Sequence, residues 1–359
     1  MKAIARLALA ASCVPVLGSG ASAVPVTQEA GDTVTLVDGE VHSGVVKSED
    51  HAGLTIDVDG KPKTLTWDKV QSVEYGDAPE LSSALAALTS GRLEEAQSGL
   101  QIVADAEKPR PMVRQQVLFH KGWIAQRQDR VDDAIAAYQE LLDAFPTGRY
   151  LRLAAENLVA CQLAKDAPEA AATALDKAAK AAGDAAPEVE LVKAHMHDAN
   201  GASAEAKAIY ESLQGSALPA VAQEARLGIA HHLIRDNKKS DAETLLRKVV
   251  AEPAPAHVMS GAWNGLGELF SEEGKAKRDN EKLLDGLYSY LRSVVQYKPL
   301  LGEPTNEYER ALAGAARCFR YLSELEQNAE RKKLFANRAQ QHLFRLKNEY
   351  PQSIYLEDV

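Results

Sequence analysis

Small residues recur at nearly constant spacing through most of this chain: Ala96, Ala134, Ala171, Ala206 and Ala242, then Gly286 and Ala339. The first four gaps run from 35 to 38 residues and the last two are 44 and 53. Each small residue is followed four positions later by a larger one, namely Leu100, Tyr138, Leu175, Tyr210, Leu246, Tyr290 and Leu343. On a helix those two positions share a face, so a site of close helix crossing sits beside a packing side chain. A repeat of this length cannot bury its own apolar face and must stack on its neighbours. The pattern therefore predicts about seven helical hairpins, with insertions in the last two. Aromatic residues are only 6% of the chain, and its abundant alanine suits closely packed helices.

The clearest unit runs from Gln115 to Pro146. Leu118, Gly122 and Ala125 form its first-helix face, Ala134 and Tyr138 its second, and Phe145-Pro146 stops the helix. Tyr297-Lys298-Pro299 and Tyr350-Pro351 repeat that ending. In a later unit Trp263, Leu266, Gly267 and Phe270 spell W-x2-L-G-x2-F. Together these residues resemble the tetratricopeptide repeat family over about Glu80 to Pro351. The third to fifth units depart from the family pattern by lacking Trp at the first packing position. The resemblance implies that Trp263, Leu266, Gly267 and Phe270, like Ala134 and Tyr138, hold repeats together. The charged run Ser271 to Lys282 is predicted as a solvated loop or a helix extension. Ser353 to Leu356 is read as a short cap, or as an end face left to a partner.

Before the repeats the period changes to two: Val34/Leu36, Leu54/Ile56/Val58, Leu65/Trp67 and Val73/Tyr75. Asp38-Gly39 and Asp59-Gly60 fall where hairpin turns need positive φ. The V-x-L-x-D-G opening and the W-x2-V-x-S-V close resemble small barrels of the SH3-like and Sm-like type. Asp57-Val58-Asp59-Gly60 matches part of an EF-hand loop, but Thr55 and Thr66 stand where that loop needs carboxylates, so a turn is expected. Asp77 to Pro79 reads as a hinge. Lys2 and Arg6, the apolar run Leu7 to Leu17 and Ala21-Ser22-Ala23 form the pattern of a cleavable signal peptide. Eleven apolar residues are too few to span ~30 Å of hydrocarbon. Cys13 only weakly matches a lipoprotein box, so lipid anchoring is disfavoured.

The expected fold class is thus mainly α, a tetratricopeptide-type α-solenoid over 79–359 preceded by a small all-β barrel over 24–78 and a signal peptide over 1–23. Removing Lys2 and Arg6 with the leader takes the net charge from −10 to −12, which argues against nucleic acid or anionic lipid as the main partner. Cys161 and Cys318 are expected to be buried thiols.

Metalloprotease, phosphate-loop and, outside the leader, nucleophile-elbow motifs are missing. His195 and His197 diverge by about 200° on a helix and His231 and His232 by about 100°, poor arrangements for one metal ion. No enzyme, cofactor or metal is expected. The family resemblance implies a groove lined by first helices. Counting from Leu118 places Phe119, Trp123, Gln126 and Arg127 there, and the fifth unit contributes Leu227, His231, Ile234 and Arg235. Phe119 and Trp123 form an aromatic pair suited to an apolar or extended peptide, or else both pack against the preceding helix pair. Family members that clasp a C-terminal carboxylate carry Lys and Asn at these two positions, so that ligand class is not expected. The leading expectation is a non-catalytic exported scaffold or adaptor of the cell envelope, periplasmic with secretion as the alternative, holding a protein or extended peptide. One alternative is an accessory factor of outer-membrane or cell-wall assembly, since Phe145 to Tyr150 and Tyr350 to Tyr355 resemble repeat junctions of such factors. The other is a ligand-binding protein or enzyme using a barrel cleft near Trp67 and His42. No residue pattern specifies an oligomeric state.

Overall fold

The computed structural model describes residues 31–299 and 305–357, so the predicted leader lies outside the described residues. Five strands come first: β1 (Asp32–Leu36), β2 (Val41–Glu49), β3 (Gly53–Val58), β4 (Lys61–Thr66) and β5 (Val70–Glu74). They form one antiparallel sheet in the order β4-β3-β2-β1-β5. Alternation turns Val34, Leu36, Val46, Leu54, Ile56 and Leu65 into a common core. Register shifts at Val46/Ser48 and Thr35/Leu36 bend the sheet around it. Asp59 and Gly60 have φ of 53° and 77°, the positive pair of a two-residue hairpin between β3 and β4, which accounts for the D-x-D-G run. Trp67 is not in a strand as expected. It opens a 3-10 turn, Trp67–Lys69, and its Nε1 donates to the Asp50 carbonyl at 2.7 Å.

Fourteen helices follow among the described residues. The first hairpins are α1 (Pro79–Thr89) with α2 (Leu93–Asp105), α3 (Pro111–Arg127) with α4 (Val131–Ala144), and α5 (Leu151–Ala164) with α6 (Pro168–Ala181). Then come α7 (Ala186–Ala199) with α8 (Ser203–Leu213), and α9 (Pro219–Arg235) with α10 (Lys239–Ala251). The last are α11 (Ala256–Lys277) with α12 (Asn280–Gln296), and α13 (Asn306–Leu325) with α14 (Ala329–Glu349). Proline opens α1, α3, α6 and α9, where its missing N–H costs nothing. The turn inside each of the first six hairpins holds one left-handed residue: Gly91, Asp129, Asp166, Gly201, Asn237 and Arg278. Five of these are Gly, Asp or Asn, the residues that tolerate this conformation. The fold is a mainly α solenoid of the tetratricopeptide type behind a small five-stranded sheet.

The small residues with helical period mark the second helix of every hairpin. Ala96, Ala134, Ala171, Ala206 and Ala242 are buried, as are Leu100, Tyr138, Leu175, Tyr210 and Leu246 beside them. Glycines on first helices complete the packing. A Cβ at Gly122 would stand 2.7 Å from the Tyr138 ring, and one at Gly267 would stand 2.9 Å from Tyr290. Leu266 and Phe270 are buried; Trp263 is partly buried against the same cluster, with the Arg292 guanidinium 4.3 Å over its ring. The wide gaps near the end come largely from longer helices. α11 runs unbroken through most of the charged segment, with Lys277 bonded to Glu273 at 2.6 Å and Lys239 to Glu272 at 2.7 Å. Ala339 and Leu343 are only part-buried, and a final 3-10 turn, Ile354–Leu356, packs Tyr355 and Leu356 near Tyr308 and Leu346.

The hinge read at Asp77 to Pro79 is a clamp. Arg110, just before α3, reaches back with Nη1 2.9 Å from Asp32 Oδ2, and Nη2 2.7 Å from Asp32 Oδ1 and 2.5 Å from Asp77 Oδ1. Asp32 also accepts from the Val46 and Gly76 amides at 2.7 and 3.1 Å. Burial would raise its pKa, but Arg110 and these amides outweigh burial and hold it below the ordinary range. Beside it Tyr75 donates to Glu49, Gln116 donates to the Tyr75 hydroxyl at 3.1 Å, and Gln115 donates to Glu49 at 3.3 Å. Arg149 lies 4.0 Å over the Trp67 ring. The β2–β3 turn reaches the fourth hairpin, where His51 Nδ1 is 3.2 Å from Glu188 Oε1. With the apolar cores of the sheet and of α1 to α3 merged into one cluster, the sheet is fixed to the solenoid.

Candidate functional site

Second helices such as α4, α6 and α10 bury one stripe, whereas α3, α9, α11 and α13 are buried around most of their circumference. First helices therefore form the inner layer. A single cavity of about 1150 Å³ touches all seven of them. Its volume slightly exceeds the ~300–1,000 Å³ range of small-molecule sites.

The N-terminal third of this groove is apolar, formed by Leu85, Leu88, Phe119, Trp123 and Leu153. Leu153 is 39% exposed, an unusual position for leucine on an inner helix. Phe119, 8% exposed, stacks on Tyr150 with centroids 4.5 Å apart and belongs to the core as much as to the groove. Trp123 packs against the first hairpin's core, and Arg127 lies 4.2 Å over its ring. His120 also lines this end. Burial, reinforced by Arg149, pushes its pKa down to about 4, so it is neutral near pH 7.

The middle is polar. Arg152 donates to Glu156 at 2.9 Å and to Glu224 at 2.7 Å. Glu224 is only 6% exposed and is also met by His257 Nε2 at 3.0 Å and His195 Nε2 at 3.4 Å. Burial alone would raise the Glu224 pKa. Arg152, His257 and His195 more than offset it, and the carboxyl stays well below the usual range. Although two histidines and a carboxylate converge here, the guanidinium already supplies the cation. Among the described residues no group of three or more His, Cys, Asp or Glu is arranged to hold a metal ion.

At the far end lie His231, Ser260 and Glu307, with Asn264 behind them. Asn264 Nδ2 donates to Glu307 Oε2 at 2.8 Å and to the Glu307 carbonyl at 2.6 Å. Arg310 is bonded to Glu268 and stands 3.6 Å from Glu307 Oε2. Burial and the field of Arg310 push the His231 pKa down to about 4, despite Glu307 and Glu268 nearby. His231 Nε2, Ser260 Oγ and Asn264 Oδ1 are buried with no hydrogen-bond partner among the described residues.

Of the residues counted from Leu118, the structure places Phe119, Trp123, Leu227 and His231 on the cavity wall. Gln126, Arg127, Ile234 and Arg235 do not line it. Gln126 accepts from Tyr138 at 3.3 Å, Arg127 covers Trp123, Ile234 packs into the fifth-hairpin core, and Arg235 pairs with Asp198 at 2.9 Å. The reason is curvature: one count along a helix does not keep to one wall where inner helices are enclosed on several sides. Sequence reasoning missed Arg152, Glu156, His195, Glu224, His257, Ser260 and Glu307. The only local signal was the i, i+4 pair Arg152/Glu156. Near the sheet, His42 Nε2 is 2.6 Å from Lys63 Nζ and Trp67 is covered by Arg149, so both side chains are already engaged.

No family model matches the chain, and no curated protein matches it either. Solved structures similar to it include a tetratricopeptide repeat protein from Parabacteroides merdae, at 15% identity and TM-score 0.41, covering 73% of this chain and 97% of that one. PilF of Pseudomonas aeruginosa is similar at 12% identity and TM-score 0.43, covering 68% and 96%. PilW, a type IV pilus biogenesis factor, is similar at 15% identity and TM-score 0.43, covering 68% and 97%. Among the described residues no helix is long and apolar enough to cross a membrane.

Proposed function

We propose that this chain is a non-catalytic interaction scaffold that holds an extended segment of a partner protein along the inner-helix groove. The observation that carries the reading is the single cavity touching every first helix, apolar at one end and polar along the rest. Such a channel suits a chain with alternating side chains better than one compact ligand. The sheet order, with its 3-10 turn between β4 and β5, supports the small-barrel reading of the N-terminal module. Clamped to α3, that module extends the scaffold. The leader pattern at residues 1–23 supports export, and with it a place in the cell envelope. The runs at 145–150 and 350–355, which suggested an assembly factor, each begin at a helix stop of nearly the same backbone conformation, so helix termination accounts for their likeness.

A photo-crosslinking residue at position 153, in the groove, compared with one at position 102, exposed on the second helix α2 and not among the groove-lining residues, tests the reading in envelope extracts. Crosslinks to one recurring partner peptide from 153 and none from 102 are expected. Equal crosslinking from both positions would remove the groove assignment, and recovery of the protein from culture medium alone would remove the envelope assignment.

A further inference from the structure

We propose that the segment in the groove is a cationic extended peptide, one of whose amide groups is held by His231 and Ser260 while a neighbouring Lys or Arg side chain reaches Glu307. This rests on the groove reading above and specifies what the groove selects.

Two independent observations carry it. The first is the set of unmatched polar atoms. Ser260 is 2% exposed and lines the cavity, and among the described residues its Oγ has no partner; the same holds for His231 Nε2, on the facing helix α9. Burying such groups without partners is costly, and natural proteins rarely do so unless something else completes them. A hydroxyl offers a donor, and a neutral imidazole offers a donor or an acceptor according to tautomer. A peptide amide, with one N–H and one C=O, matches that pair, and a peptide without side-chain identity already provides it.

The second is charge. Arg152 is the only Arg or Lys among the described residues that line the cavity, against Glu156, Glu224 and Glu307. Arg152 is already bonded to Glu156 and Glu224. Glu307 has Arg310 at 3.6 Å, but that guanidinium is bonded to Glu268. A Gly261 Cβ, next in sequence to Ser260, would stand 2.7 Å from Leu227 Cδ2 and 3.6 Å from Glu307 Oε1, so the carboxylate lies beside the amide-binding pair; Asn264 meets its Oε2 at 2.8 Å, and the side chain is 27% exposed on the cavity wall. The wall thus presents an excess carboxylate in a partly desolvated place, which favours a cation and rejects an acid.

The test uses short peptide pools, random except for a central Lys, norleucine or Glu, passed over the immobilised full chain at about 0.15 M salt. The Lys pool should be retained about tenfold more than the Glu pool, the ratio one charge-assisted hydrogen bond supplies. Glu307→Gln should bring that ratio close to one while retention of the norleucine pool stays unchanged. Glu94→Gln, an exposed acid on α2, should leave the ratio alone. Ser260→Ala should lower retention of all three pools by about fivefold, because it touches the main chain and not the selected side chain. Should Glu307→Gln disturb the groove and lose the norleucine pool too, the Lys-to-norleucine ratio on the unaltered protein decides. Equal retention of Lys and Glu pools, an equal loss of preference in Glu94→Gln, or indifference to Ser260→Ala would each overturn the proposal. If the pools are retained equally but Leu153→Asn abolishes retention, the cationic preference falls and the groove reading stands. If no pool is retained, or Leu153→Asn changes nothing, both fall.

Discussion

The seam between sheet and solenoid and the far end of the groove are both polar and buried, yet they are finished differently. In the seam Asp32, Asp77, Glu49, Tyr75, Gln115 and Gln116 all have partners, and among the described residues only Arg110 Nε is left without one. At the far end of the groove three atoms are left over among the described residues, on His231, Ser260 and Asn264. A closed interface can satisfy its own polar groups, because both sides are always present. A surface that meets its partner only part of the time cannot, and the unmatched atoms mark where the second side belongs.

The largest effect should come from opening a closed network. Arg152→Ala leaves Glu224 buried without its guanidinium, and the expected loss is about 3–5 kcal/mol of unfolding free energy by denaturant titration. Asp32→Ala should cost a similar amount in the seam, and limited proteolysis should then cut near Asp77 first. If either variant is as stable as the parent, the networks do not hold these elements.

Next comes packing at the repeat glycines. Gly122→Ala drives a methyl against the Tyr138 ring and should cost about 1–3 kcal/mol. The same change at Gly60, where nothing lies near but φ is positive, should cost less, about 1 kcal/mol. A reversed order would mean that the hairpins are looser than they look.

Acid should separate the groove as a whole, His120 at its apolar end and His231 at its far end, from the seam by sign. His120 and His231 have folded-state pKa values near 4, against about 6.5 in an unfolded chain. Their contribution is complete above about pH 6.5 and is lost as pH falls toward 4. Glu49 and Glu188 in the seam are raised by burial, so protonating them relieves a cost as pH falls. Amide exchange between about pH 6.5 and 4.5 should show α9 and the middle of α3 losing protection before β2 and the start of α7. Equal loss in both regions would break the distinction.

The smallest effect distinguishes them most sharply. Ser260→Ala removes a buried hydroxyl that has no partner, so stability should stay within about 1 kcal/mol or rise slightly. A thermal shift well below the parent would mean that Ser260 is bonded in solution and the groove is finished like the seam.

Much of the architecture was legible before any coordinates. Ala134 with Tyr138 and Gly267 with Phe270 are local patterns, three and four residues apart, and one helix makes them meet. The Asp59-Gly60 turn was legible for the same reason, because a two-residue loop sets its own dihedral angles. Trp67 was misplaced because it stands two positions after Leu65 and so continues the strand's alternation, although the chain has already turned into Trp67–Lys69. The groove was half legible: Phe119 and His231 follow from a helical count, but Gln126 and Ile234 obey the same count and still pack between helices.

By itself, then, the sequence determined the repeat, the hairpin turns and the change from strands to helices, since each depends on residues within a few positions of one another. Only the tertiary structure decided the chemistry of the groove and the fixing of the sheet. Arg152 meets Glu224 across 72 positions, and Arg110 meets Asp32 across 78. Such pairs carry no period, because no local pattern brings them within a hydrogen bond: the stacking of successive hairpins makes the first, and the docking of the sheet on α1 to α3 makes the second.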